Sequence, residues 1–212
     1  MTFFRAFFMI SMMIMAGLPA LAEMRRSDAS LAIPAPTTSA AILSEARAPI
    51  GWTDFCRRHP AECTSATIIA RPVLLTKSSW AMISRTNTIV NAGIRQAEDI
   101  NVYGVAEYWD YPARSVGDCE DFALQKRKIL IALGVPREAL LMTVVRDHEG
   151  LGHAVLTVVT DKGDFILDNK IDTILPWADT GYSFVKRQSR TRTDQWVRIG
   201  EPSTLAITAA GQ

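Results

Sequence analysis

The spacing of apolar residues changes once along this chain, and the change restricts the folds that the chain can form. Apolar side chains recur at helical intervals over residues 78–94 and again over 118–133, where Gly134 ends the pattern. Beyond Gly134, short apolar segments bounded by turn residues predict strands over 140–145, 153–159, 165–168, 177–185 and 195–199. Helices followed by a run of strands predict an α+β domain, with N-terminal helices packed on an antiparallel β-sheet.

The first 22 residues have the features of a secretory signal peptide. One basic residue, Arg5, precedes an apolar segment over 6–18, Pro19 ends that segment, and Ala20-Leu21-Ala22 is a small-x-small cleavage pattern. The alternative is a retained membrane anchor, for which the apolar segment is short. We therefore expect an exported, periplasmic protein.

The remaining chain divides by composition. Residues 23–49 are rich in Ala, Ser, Thr and Pro, which predicts a flexible leader. We expect the folded domain to occupy residues 50–200 and the residues 201–212 to form a tail.

Charge and motifs argue against two classes of function. The 212 residues carry a formal net charge of +1, whereas a protein that binds nucleic acid electrostatically carries a basic excess. No nucleotide-binding loop or cofactor motif is visible, so a protein substrate fits better than a small molecule.

The chain has three cysteines, and an odd number in an oxidising compartment indicates one disulfide and one free thiol. Cys56 and Cys63 lie close together in a turn-rich stretch, so we predict a disulfide between them. The alternative is a metal site made of Cys56, His59 and Cys63, which lacks a fourth ligand nearby. Either arrangement leaves Cys119 free.

Cys119 lies at the predicted start of the second helix, where backbone N–H groups and the helix dipole favour a thiolate. A neighbouring histidine is the usual base that generates such a thiolate. His153 begins a predicted strand after two glycines, whereas His59 lies in the cysteine loop and His148 in a charged turn. We therefore predict His153 as the base; a purely structural role is the alternative.

Asp168 closes an otherwise apolar strand, and a carboxylate in that position needs a partner. If a four-residue turn over 160–163 joins the two strands, Asp168 lies opposite Val155, one same-face step from His153. A slip by one residue would place Asp168 on the other face of the sheet. With the assumed register, Cys119, His153 and Asp168 form the arrangement used in thiol-based acyl transfer.

The chain resembles the bacterial transglutaminase-like cysteine proteinases, among which the LapG-type proteins are periplasmic proteases. The resemblance is strongest at GDCEDFA (117–123), GHAV (152–155) and LDN (167–169), and extends from about residue 52 to residue 199. It implies a papain/transglutaminase-like fold and a catalytic triad of Cys119, His153 and Asp168.

In LapG-type proteins the acids beside the cysteine bind calcium, which implies Asp118 and Glu120 as calcium ligands in this chain. Negative charge beside Cys119 should raise the pKa of the thiol, and a calcium ion would offset that effect. Alternatively, Asp118 and Asp121 cap the helix. The resemblance also implies a large surface adhesin as the substrate and an inner-membrane cyclic di-GMP receptor as a partner.

Two matters stay open at the level of sequence. The backbone N–H of Cys119 is a natural donor to an oxyanion, and Asn87, Asn91 and Gln96 are candidates for a side-chain donor. The same triad would also serve a transglutaminase or an amidase, and a non-catalytic binding module is a further alternative. We favour an exported cysteine endopeptidase that acts through a thioester acyl-enzyme.

Overall fold

The computed structural model describes residues 32–63 and 67–200. The predicted signal peptide at 1–22, the first part of the predicted leader and the predicted tail at 201–212 lie outside the described residues. In the described part of the chain, no helix combines the length and the apolar character that a bilayer crossing requires.

The helices come early in the chain, as the apolar spacing predicts. They are α1 (Ile50–Arg58), α2 (Lys77–Gly93), α3 (Asp99–Val102) and α4 (Cys119–Ala132). The predicted helices at 78–94 and 118–133 are confirmed as α2 and α4. A capping box forms at the start of α2, since the Thr76 hydroxyl accepts the Ser79 N–H and the Ser79 hydroxyl accepts the Thr76 N–H.

Seven strands form one antiparallel sheet in the order β1-β9-β8-β4-β5-β6-β7. They are β1 (Ala41–Ala46), β4 (Leu140–Arg146), β5 (Gly152–Thr160), β6 (Gly163–Leu167), β7 (Leu175–Pro176), β8 (Ser183–Gln188) and β9 (Trp196–Gly200). A separate parallel pair joins β2 (Arg95–Gln96) to β3 (Val116–Gly117). The α+β prediction is therefore confirmed.

The predicted strand over 177–185 is wrong in its first half. Trp177–Asp179 forms a turn of 3₁₀ helix, and the strand β8 begins only at Ser183. Gly181, at a φ of +69°, turns the chain between them in a conformation that residues with a Cβ rarely adopt.

The start of the domain lies upstream of the predicted boundary at Ile50. Strand β1, inside the predicted leader, pairs with β9 from Ala41 opposite Gly200 to Ala46 opposite Trp196. Its side chains are mostly exposed, so no apolar alternation marks the strand in the sequence. Backbone pairing stabilises it, together with buried Asp164, which accepts hydrogen bonds from the segment just before β1.

The hairpin of β5 and β6 has the register that the sequence argument assumed. Val159 lies opposite Asp164 and Leu156 opposite Leu167, so Asp168 continues the ladder opposite Val155. A one-residue slip would have moved Asp168 to the other face, and the observed register excludes it.

The main core lies between the helices and the sheet. Helix α4 packs against β5 and β4, and α2 packs against α4. The largest apolar side chains at this contact are fully or almost fully buried: Trp52, Phe55, Trp80, Leu124, Leu130, Leu140, Met142, Leu156, Phe165 and Trp196. This packing brings the first residue of α4 beside the first residues of β5.

Candidate active site

Cys119, His153 and Asp168 come together where α4 begins and β5 starts. The Ala154 N–H donates to Cys119 Sγ at 3.3 Å, and His153 Nε2 lies 2.9 Å from Asp168 Oδ1. Cys119 and His153 both line one cavity of about 340 Å³. The fold therefore places Cys119 and His153 on one cavity and pairs Asp168 with His153 behind it.

Asp168 is held by three donors in addition to its position on the hairpin. Oδ1 accepts from the His153 ring and from the Lys170 N–H (3.0 Å), and Oδ2 accepts from the Tyr182 hydroxyl at 2.6 Å. Burial raises the pKa of Asp168, but the hydrogen bond and charge of His153 and the other two donors outweigh it, so the pKa lies below its ordinary value. Asp168 is thus a carboxylate that faces a buried imidazole.

Tyr182 is the member of this group that the sequence argument missed. Its ring also contacts the His153 ring edge-on, with centroids 5.7 Å apart. Tyr182 lies 14 residues beyond Asp168, just before β8, and only the sheet order brings it to the His153–Asp168 pair. No pattern in the sequence marks it.

The other two histidines have different partners. His59 Nε2 lies 2.7 Å from Asp110 Oδ1, and the His148 ring stacks obliquely on Tyr182 with centroids 5.1 Å apart. Neither residue lines the cavity of Cys119. The preference for His153 over both agrees with this geometry.

The thiol of Cys119 is half-buried and faces carboxyl groups. It donates to Glu120 Oε2 at 3.1 Å. Burial raises the pKa of the thiol well above its ordinary value, the charges of Glu120 and Asp118 raise it further, and the Ala154 N–H only partly opposes them. Without a compensating positive charge, the protein therefore disfavours the thiolate.

Asp99, Asp118 and Glu120 form a compact acidic cluster beside the thiol. Each offers one oxygen, and these oxygens all lie within 4.8 Å of one another. All three residues are buried, and within 32–63 and 67–200 none of the three forms an ion pair. Burial, followed by the neighbouring carboxyl charges, raises the pKa of Asp118 and Glu120; burial also raises that of Asp99.

The donor set of this cluster fits a hard divalent cation. Carboxylate oxygens are the ligands that calcium prefers. One oxygen each of Asp99 and Asp118 is buried with no hydrogen-bond partner among the described residues, as expected of oxygens that are free to coordinate a metal. The structure adds Asp99 to the two predicted ligands, Asp118 and Glu120.

The capping-box alternative for the same acids is wrong. Asp118 occupies the N-cap position of α4 but makes no hydrogen bond from its side chain to the helix. Its Oδ2 accepts the Asp99 N–H at 3.3 Å instead, and Asp121 Oδ1 accepts the Asp110 N–H at 2.9 Å. These acids therefore bind the preceding segment and leave the first turn of α4 uncapped by side chains.

The candidate side-chain oxyanion donors, two from α2 and one from β2, have other roles. Asn87 Nδ2 donates to the Asp172 carbonyl at 3.0 Å, and Asn91 Nδ2 donates to the Asp168 carbonyl at 2.9 Å. Gln96 accepts a hydrogen bond from Asn169 at 3.3 Å. None of the three lines the cavity of Cys119, so the prediction of a side-chain oxyanion donor among them is wrong. They hold the loop that follows Asp168.

The predicted disulfide is confirmed. Cys56 and Cys63 are bonded, with an S–S distance of 2.06 Å, and Cys119 is the free cysteine. The alternative metal site of Cys56, His59 and Cys63 is wrong, because both sulfurs are used in the disulfide and His59 pairs with Asp110.

The model of the bacterial transglutaminase-like cysteine proteinase family matches residues 42–204. No curated protein sequence matches the chain. Among solved structures, Legionella pneumophila LapG is 26% identical over 50% of this chain and 63% of that chain, with a TM-score of 0.44. Its calcium-bound form is 25% identical over 58% of this chain and 72% of that chain, with a TM-score of 0.47.

The match to the family covers the helices, the sheet, the disulfide and the three predicted catalytic residues. It confirms the resemblance and, with the observed order of helices and antiparallel strands, the transglutaminase-like fold class. The chain therefore belongs to the bacterial transglutaminase-like cysteine proteinases, a family of cysteine peptidases.

Proposed function

We propose that the chain is an exported cysteine endopeptidase in which Cys119 is the nucleophile, His153 the general base and acid, and Asp168 the residue that orients the imidazole. The observation that carries this proposal is that the free cysteine Cys119 lines one cavity with His153, which is itself paired with buried Asp168. A complete arrangement of this kind also argues against a binding module without catalysis.

The chemistry follows from which ring nitrogen is engaged. Asp168 is hydrogen-bonded to Nε2 of His153, so Nδ1 is the ring nitrogen that can exchange a proton with the thiol. Nδ1 takes the Cys119 proton, the sulfur attacks the peptide carbonyl carbon, and the imidazolium then protonates the leaving amine to give a thioester. Water attacks the thioester while His153 again takes a proton, and the sulfur leaves as the thiol is restored.

The oxyanion formed in each half of the reaction needs donors. The backbone N–H of Cys119, at the first residue of α4, is the donor we propose, since the helix N-terminus favours negative charge there. Asp168 keeps its charge throughout and stabilises the imidazolium, in agreement with its lowered pKa.

We further propose that Asp99, Asp118 and Glu120 hold a calcium ion. When bound, the ion would supply positive charge that offsets the carboxylates and lowers the pKa of the Cys119 thiol. The support is the geometry of the cluster and its unpaired buried oxygens among the described residues.

The cell location and the partners are proposals that rest on the sequence. The signal-peptide pattern at 1–22 supports export to the periplasm, and a disulfide agrees with an oxidising compartment. The family membership implies a protein substrate. A large surface adhesin as that substrate and an inner-membrane cyclic di-GMP receptor as a regulator are proposed from the LapG-type resemblance alone.

The rate of alkylation by iodoacetamide tests the central proposal, because Cys119 is the one cysteine outside the disulfide. With calcium present at pH 7, we expect Cys119 to react faster than a free thiol, and His153→Ala to slow the reaction by about 100-fold. Arg57→Ala, which changes an exposed residue paired with Asp54 and away from the cavity, should leave the rate within about twofold. A wild-type rate no faster than that of free cysteine would refute the nucleophile assignment.

Product analysis separates hydrolysis from the transglutaminase or amidase alternative. An unstructured protein is incubated with the enzyme, with and without a primary amine, and new termini are identified by mass spectrometry. We expect new peptide termini that Cys119→Ala does not produce. Amine adducts on glutamine side chains, without new termini, would instead identify amine transfer.

A further inference from the structure

The segment from Tyr108 to Asp110 contacts both the acidic cluster and the cavity of the thiol. The Tyr108 N–H donates to Asp99 Oδ2, and the Asp110 N–H donates to Asp121 Oδ1 at 2.9 Å. Between these two anchors, the Trp109 side chain lines the cavity beside Cys119. The position of three consecutive residues therefore affects both the cation ligands and the cavity wall.

Arg58, the last residue of α1, contacts all three residues of this segment. Its Nη2 donates to the Trp109 carbonyl at 2.6 Å, its Nε donates to Asp110 Oδ2 at 3.2 Å, and its guanidinium carbon lies 3.9 Å from the centre of the Tyr108 ring. Such a planar group can bind two acceptors and stack on a ring at the same time, which an ammonium group cannot do.

Two further contacts support this arrangement from α1. His59, which directly follows α1, has its Nε2 2.7 Å from the other oxygen of Asp110, and the disulfide of Cys56 ties down the end of the helix that carries Arg58. At the start of α1, Gly51 makes room for the Trp109 indole, since a Cβ there would lie 2.3 Å from the ring. Helix α1 thus contacts the segment at both ends.

We propose that Arg58 is a positioning residue for the cation site. It holds the Tyr108–Asp110 segment in place, so that the backbone N–H of Tyr108 keeps its hydrogen bond to Asp99, one of the three proposed ligands. Like charges in the cluster repel each other, so fixing Asp99 in place reduces the reorganisation that cation binding requires. This inference rests on the calcium part of the proposed function and does not depend on which bond the enzyme cleaves.

Calcium titration by isothermal calorimetry tests the proposal on the full mature protein. We expect Arg58→Ala to weaken calcium binding at least about 10-fold, as changes to the residues that orient metal ligands commonly do. Arg58→Lys keeps the charge but loses the fork, so it should fall between wild type and Arg58→Ala. Arg57→Ala is the matched control, because this preceding residue is exposed and its ion-pair partner among residues 32–63 and 67–200 is Asp54. The calcium affinity of Arg57→Ala should equal that of wild type.

A second readout separates positioning from general loss of structure. At saturating calcium, the alkylation rate of Cys119 in Arg58→Ala should return to the wild-type value, which a misfolded protein would not achieve. Unchanged calcium affinity in Arg58→Ala, with calcium binding by wild type, would overturn the role of Arg58 alone. If wild type itself binds no calcium, the cation site fails and this inference fails with it.

Discussion

Lys126 lies in the middle of α4 with its side chain fully buried. Its ammonium nitrogen has no hydrogen-bond partner among the described residues, although the charges of Asp168 and Asp172 act on it from the loop after β6. Burial lowers the pKa of Lys126 to about 7, and those two carboxylates only partly oppose it. Replacement by Met keeps a similar side-chain volume and removes the titrating group.

The size of the effect follows from the pKa of the group in the two states. Lysine has a pKa of 10.5 when exposed and about 7 at this position, so the unfolded chain binds more protons throughout that interval. Stability should therefore rise with pH, and a tenfold change in protonation corresponds to about 1.4 kcal/mol. Between pH 7 and pH 9 the contribution of Lys126 amounts to about 2 kcal/mol.

The measurement compares Lys126→Met with wild type by urea unfolding at pH 7 and at pH 9. The difference in unfolding free energy between the two proteins should favour the variant by about 2 kcal/mol more at pH 7 than at pH 9. Contributions from the acidic cluster cancel in this comparison because both proteins contain it. Lys128→Met, an exposed site on the same helix whose ammonium lies 4.1 Å from the Tyr111 ring, should show no such pH dependence. An equal difference at both pH values would refute the lowered pKa of Lys126.

Two other substitutions test contacts described above. Tyr182→Phe removes the 2.6 Å hydrogen bond to Asp168. Because a hydrogen bond to a charged group contributes about 1.5–3 kcal/mol, we expect the alkylation rate of Cys119 to fall about 10-fold or more. An alkylation rate equal to that of wild type would show that this hydrogen bond does not orient Asp168. Asp164→Ala leaves the buried guanidinium of Arg187 without its carboxylate and removes the acceptor beside β1, which should destabilise the domain by about 3–5 kcal/mol. Thermal unfolding measures that loss of stability. Of the seven strands of the sheet, β1 should show the fastest amide hydrogen exchange in the variant. An unchanged melting temperature would contradict the role given to Asp164.

Much of the fold could be predicted because it depends on local pattern. The periods of 3.6 and 2 residues identify α2, α4 and the strands β4 to β6, and the short hairpin between β5 and β6 sets their register. Once that register holds, His153 and Asp168 must lie on one face. The three proposed catalytic residues could be predicted for this reason, since each of them lies at the end of a regular element.

The acidic cluster could be predicted only in part. Asp118 and Glu120 flank the cysteine in sequence, but Asp99 reaches them from another helix, and nothing in its neighbourhood marks it as a ligand. The side-chain amides of α2 could not be assigned either, because a helical amide has several acceptors within reach until the packed loop selects one.

The amino-acid sequence by itself determined the helices α2 and α4, the strands β4 to β6, the pairing of Cys56 with Cys63, and the presence of a free thiol at a helix start. Only the tertiary structure decided that β1 extends the sheet, that Asp99 joins the acidic cluster, that Arg58 donates to the Trp109 carbonyl, and that Tyr182 donates to Asp168. Local patterns reflect the conformation of a few neighbouring residues. These other contacts join residues far apart in the chain, and they exist only when the helices pack on the sheet in this one arrangement.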